Sequence, residues 1–110
     1  MDTFNALADP TRRHILEMLA SKGRLSATAI AVKFKSSPPA ISQHLKALRE
    51  AKLVSVEKRA QQRLYQINPK KMEEIEHWVH QLAQQWKERF DRLDVLLQQE
   101  KKKILNNFKH

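Results

Sequence analysis

The 110-residue sequence predicts a mainly α-helical domain with one small β-hairpin and a long last helix, organised as a dimer. Three observations carry this. Short helical segments open on a capping residue followed by proline at Asp9-Pro10 and Ser37-Pro38-Pro39. After Leu53 the apolar period changes from helical to alternating. Beyond Asn68-Pro69 one apolar stripe continues without a breaker. The whole chain, 1–110, is expected to be a single domain, with a core over residues 1–68 and a dimerisation helix over 69–108.

In order, Phe4 and Leu7 make a short apolar face ahead of Asp9, the cap of a helix in which Ile15, Leu16 and Leu19 recur at helical spacing. Lys22 supplies a basic last turn, and Gly23, the only glycine, a stop. Arg12 and Arg13 oppose the helix dipole in the first turn, so they are expected to answer Asp9 and Glu17 or, less simply, a phosphate. Ser26 caps a brief helix running to about Phe34, with Leu25 and Ile30 as a hydrophobic staple. A turn at Lys35-Ser36 leads directly into the Ser37 cap, so two helices follow one another as a helix-turn-helix.

That second helix carries the candidate site. Ile41, Leu45 and Leu48 form a narrow apolar stripe, and Pro39, Ser42, Gln43 and Lys46 fall opposite it, a face short, polar and uncharged except for Lys46. A solvated face would carry more Glu and Lys, whereas small hydroxyl and amide groups are able to approach base edges in a major groove. Ser37 and Ala40 belong to the same leading turn. His44, at the stripe's edge, either donates to a phosphate or packs near Leu48.

The hairpin is expected at about 54–67, with Val54 and Val56 in one strand and Arg63-Leu64-Tyr65-Gln66-Ile67 in the other. Its connection, Lys58 to Arg63, lacks turn glycine or Asn-Gly and so predicts a longer loop. Lys58, Arg59 and Arg63 at its tip suit a phosphate backbone.

In the last helix Ile75, Val79, Leu82, Trp86, Phe90, Leu93 and Leu97, continued by Ile104 and Phe108, fall within about 60° of one line. Such a helix outruns any core the chain supplies, so the stripe asks for a second copy, with Phe4 and Leu7 assigned to the same interface.

Composition narrows the function. Twenty-one Lys and Arg against twelve Asp and Glu give a formal charge of +9, which points to a polyanion. No apolar run spans a bilayer and no signal pattern opens the chain, so a cytoplasmic location is expected, without membrane contact. With one glycine neither a nucleophile elbow nor a phosphate loop is available, which argues against an enzyme.

The runs Asp9-Pro10-Thr11-Arg12-Arg13, Ser37 to Leu48 and Arg63-Leu64-Tyr65 resemble, in order and spacing, the ArsR (arsenic-repressor) family of winged-helix bacterial repressors over roughly residues 3 to 68. The resemblance implies a homodimer on double-stranded DNA at a palindromic operator, with the Ser37 helix in the major groove and the hairpin as wing. Family members that sense metals carry Cys-x-Cys where this chain has Ser26 and Thr28, and the chain has no cysteine. A second family site uses Asp-x-His, then ten residues, then a His pair or His and Glu; only His77-x-x-His80 is present, which makes His77 and His80 weak metal candidates. Glu73 and Gln84 share their face, opposite the apolar stripe. The wing also lacks the glycine often found at its tip. The chain looks most like the non-metal branch, with no cofactor; the alternatives are a nucleoid-like protein binding DNA without sequence preference and a metal-responsive repressor using His77 and His80.

Overall fold

The structure, a computed structural model, describes residues 2–108; the side chain of Phe108, placed in the stripe above, lies outside the described part. Among the described residues the order is α1 (Thr3–Ala8), α2 (Pro10–Lys22), β1 (Leu25–Ser26), α3 (Ala27–Val32), α4 (Pro38–Glu50), β2 (Val54–Arg59), β3 (Gln62–Ile67) and α5 (Pro69–Phe108). The chain divides into two compact units, one ending at Glu73 and one beginning at Glu74.

The three capped starts form as their chemistry dictates. The side chains of Asp9, Ser26 and Ser37 accept from the backbone N–H groups of Arg12, Ala29 and Ala40 at 3.0, 3.1 and 3.3 Å. Gly23 ends α2 at φ 81°, its N–H donating to Leu19 O at 2.8 Å. α3 stops at Val32, two residues short of the expected Phe34, where bonds from Lys33 and Phe34 back to Ile30 and Ala31 tighten the last turn.

α4 ends without glycine. Lys52 N–H donates to Arg49 O at 2.9 Å and Leu53 N–H to Leu48 O at 3.0 Å, a Schellman closure in which Lys52 takes the left-handed position at φ 62°. The bond from Leu53 reaches back to Leu48, and both side chains are fully buried, so the apolar contact that accompanies this motif offsets the cost of a left-handed lysine. Asn68 secures the turn from the other side: its side-chain amide donates to Lys52 O at 2.9 Å and its backbone N–H to Leu53 O at 3.0 Å.

Arg12 and Arg13 find partners that the sequence reading did not name. The Arg12 guanidinium donates to Ala6 O at 2.8 Å and Asn5 O at 3.0 Å, and that of Arg13 to Leu7 O at 2.7 Å and Ala8 O at 3.0 Å. These carbonyls are the unsatisfied negative end of α1. Two cations that oppose the dipole of their own helix therefore cap the preceding one, rather than pairing with Glu17.

The sheet also departs from a simple hairpin. It has three antiparallel strands in the order β1-β3-β2, because Leu25 and Ser26 pair with Tyr65 and Leu64. Two residues are too few to show alternation, so β1 left no periodic signal. The wing connection is shorter than expected: Arg59 pairs with Gln62, which leaves Ala60 and Gln61 as a two-residue turn. Of these two residues only Ala60 has positive φ, at 54°, the φ pattern of a type II′ turn made without glycine.

The core of the first unit joins Ile15, Leu16 and Leu19 of α2, Ile30 of α3, and Ile41, Leu45 and Leu48 of α4 to Leu53, Val54 and Tyr65. The second unit is the body of one uninterrupted helix; α5 as a whole has 40 residues, about 60 Å of length.

A basic recognition helix and wing as candidate nucleic-acid interface

With Ile41 and Leu45 at 1% exposure and Leu48 at 0%, α4 has no freedom to rotate, and its opposite face is set by default. Ser37, Pro39, Ser42, Gln43 and Lys46 are all exposed and Ala40 is half-buried. The expected reading face thus exists as a surface, rigidly presented from a packed helix. Arg49, which the sequence reading passed over, is exposed one turn beyond Lys46 on the same helix.

His44 has a neighbour that the sequence reading did not name. Its Nδ1 lies 3.7 Å from Asp9 Oδ2, so it links the recognition helix to the cap of α2. The Asp9 carboxyl is held below its ordinary value chiefly by the hydrogen bond from the Arg12 backbone N–H, opposed by burial and helped by the charges of His44 and Arg12. A depressed carboxylate contributes stability that is present above its unfolded value and is lost as pH falls through the lower folded one. Asp9→Ala should therefore cost about 1 kcal/mol at neutral pH as a lost N-cap. In urea melts the gap between variant and wild type should narrow below the ordinary carboxylate range, and a gap unchanged at pH 3 would contradict this origin.

The wing cations separate. Lys58 faces Arg63 directly across the ladder and shares a sheet face with Val56 and Tyr65, whereas Arg59, in the alternate position, falls on the other face. There Arg59 Nε is 3.2 Å from Glu57 Oε1, and Arg24 Nη1 is 3.2 Å from Glu57 Oε2. Arg24 also donates to Gln66 Oε1 at 3.4 Å from both Nε and Nη2. The three cations read from sequence as one tip divide into two on the sheet face of Tyr65 and one engaged behind it. Arg63 and Tyr65 line a concavity of about 270 Å³ together with Ser42, Gln43, Lys46 and Arg49, which brings wing and recognition helix onto one surface.

Of the residues assigned to dimerisation, Phe4 is 47% exposed and Leu7 half-buried in the first unit. In the second, Val79, Leu82, Trp86, Phe90, Leu93 and Leu97 are all exposed, with Trp86 at 68%, while Ile75 is half-buried. His77 and His80 are exposed, and among the described residues no group of three His, Cys, Asp or Glu comes together as a metal site. The hydroxyl of Ser26 is engaged in capping Ala29 N–H. Within one chain, two imidazoles are fewer donors than a transition-metal site needs. No helix among the described residues is long and apolar enough to cross a membrane.

A short helix, a tight turn, a proline-started helix with a polar outer face and a basic two-stranded wing define a winged helix-turn-helix DNA-binding protein. A helix-turn-helix domain model matches residues 7–57. The chain is 36% identical to the transcriptional repressor SdpR of Bacillus subtilis over 78 residues, 71% of this chain and 86% of that one. It is 32% identical to the arsenic resistance transcriptional regulator ArsR2 of Pseudomonas putida over 83 residues, 76% of this chain and 69% of that one. Among solved structures, an ArsR-like transcriptional regulator from Rhodococcus sp. RHA1 superposes with a TM-score of 0.71 at 28% identity, covering 82% of this chain and 84% of that one. The chain belongs to the ArsR family of winged helix-turn-helix transcriptional regulators, DNA-binding proteins and not enzymes.

Proposed function

We propose that this chain is a cytoplasmic repressor that binds a palindromic operator as a homodimer and works without a resident metal. The observation that carries sequence-specific reading is the outer face of α4, where Ser42 and Gln43 are exposed beside a single Lys46 on a helix locked by Ile41, Leu45 and Leu48. A binder of phosphates alone would gain more from further Lys or Arg at these two positions. Dimerisation is supported by the exposed stripe of α5, and metal independence by the absence of cysteine and by the capping role of Ser26. The kinship with a protein named as a transcriptional repressor supports repression rather than activation.

The test is affinity for the chain's own promoter fragment against random DNA at one salt concentration. A specific regulator should show a ratio of about 10³ or more. A ratio near one would instead favour a nucleoid-like binder, which the +9 charge alone would also support. Metal independence predicts that a chelator leaves the promoter affinity unchanged, and a shift on adding zinc would return His77 and His80 to consideration.

Gln43 and Lys46 should separate in their effects. Gln43→Ala is expected to lose about 1 to 3 kcal/mol on the preferred site with little change on random DNA. Lys46→Ala should weaken both, with a shallower salt dependence. Equal losses for both variants on both DNAs would mean that this face contacts only phosphates.

A further inference from the structure

The concavity between α4 and β3 is built in a way that neither folding nor base reading accounts for. Lys46 and Arg49 stand one turn apart on α4, and Arg63 enters from the wing with Lys58 directly across the ladder from it. Like charges at adjacent helix positions and directly opposed in a sheet both destabilise. Among the described residues none of the four is in an ion pair, and no carboxylate lines the concavity. The nearby acids are used elsewhere. Glu57 lies on the far face of the sheet between Arg24 and Arg59, and Glu50 borders a separate concavity with Arg12 and His44. An arrangement that gathers exposed cations from two elements and keeps carboxylates out carries a mutual repulsion that an external anion relieves.

We propose that this cleft is a phosphate clasp, in which Arg49 of the recognition helix and Arg63 of the wing hold one and the same phosphodiester of the DNA backbone. The inference rests on the DNA-binding reading but not on sequence specificity. A guanidinium from each side offers planar, paired donors suited to two phosphate oxygens. The clasp makes Arg49 a positioning residue: by tying helix and wing to one phosphate it fixes the register in which Ser42 and Gln43 meet the base edges.

The experiment uses the full chain and a random-sequence duplex, so it does not depend on any operator. Binding is measured over a salt series for wild type, Arg49→Gln, Arg63→Gln, the double variant and Arg49→Lys, each first shown by thermal melting to be folded. Neutralising one phosphate contributes about 0.9 to the slope of log K against log salt. The double variant should lose about 0.9 per bound protomer, so its deficit grows about eight-fold for each ten-fold dilution of salt. Each Gln single variant should lose less than that, and Arg49→Lys should keep most of the slope. A loss near 1.8 in the double variant would mean two separate phosphates and would overturn the shared clasp. An unchanged slope in Arg49→Gln, or a loss in Arg49→Lys equal to that in Arg49→Gln, would overturn the role of Arg49. A specificity ratio near one would sink the operator reading and leave this result standing.

Discussion

Trp86→Glu is expected to sediment as a monomer, keep most of its helical signal and lose operator affinity by a factor of roughly 10² to 10⁴. In the isolated chain Trp86 is 68% exposed, so a carboxylate there costs almost nothing by itself. In an α5–α5 interface the same carboxylate would be buried among Phe90, Leu93 and their counterparts, at a penalty of several kcal/mol unless the subunits separate. Separation is the easier outcome. A dimer whose two recognition helices enter successive major grooves, about 34 Å apart, gains its second half-site at high effective concentration, and a monomer forfeits that gain. Non-specific binding should fall far less, since each protomer keeps its own cations. Gln84→Glu, on the opposite face of α5, is the control and should stay dimeric. A monomeric Trp86→Glu that still binds the operator as tightly as wild type would assign the stripe to some other partner.

The second large effect is on stability. Leu48→Ala should cost about 3 to 5 kcal/mol, a large share of the roughly 5 to 15 kcal/mol that holds a domain of this size together. Leu48 is fully buried in the core and also accepts the bond from Leu53 N–H that closes α4. The truncation leaves that backbone bond available but opens a cavity in the core beside the left-handed turn at Lys52. Urea melts at one fixed protein concentration would measure it, because dimerisation would make the midpoint concentration-dependent. Leu48→Met, which nearly conserves volume, should cost below about 1.5 kcal/mol. A loss under 1 kcal/mol for Leu48→Ala would mean that α4 is not anchored through this residue.

The contrast between correct and missed readings follows the range of the forces involved. Capping is local: a side chain two or three residues ahead of a free N–H finds it in any fold, which is why Asp9, Ser26 and Ser37 were legible as starts. The core face of α4 and the unbroken run of α5 were legible too, since helical periodicity is a property of the chain itself. The misreadings at the wing came from applying glycine rules where ladder pairing across six residue pairs was strong enough to hold Ala60 at positive φ.

The sequence by itself thus determined where helices begin, which helix faces are apolar, that the charge calls for a polyanion, and the family to which the chain belongs. The tertiary structure alone decided the partners of the long charged side chains. Arg12 and Arg13 reach across to the carbonyls of α1, His44 to Asp9, and Arg59 to Glu57, while Arg49 and Arg63, separated in sequence, line one cleft. A guanidinium or imidazole on a flexible stem can meet any acceptor within several ångströms, so its partner depends on which segments packing brings near, and no local pattern records that.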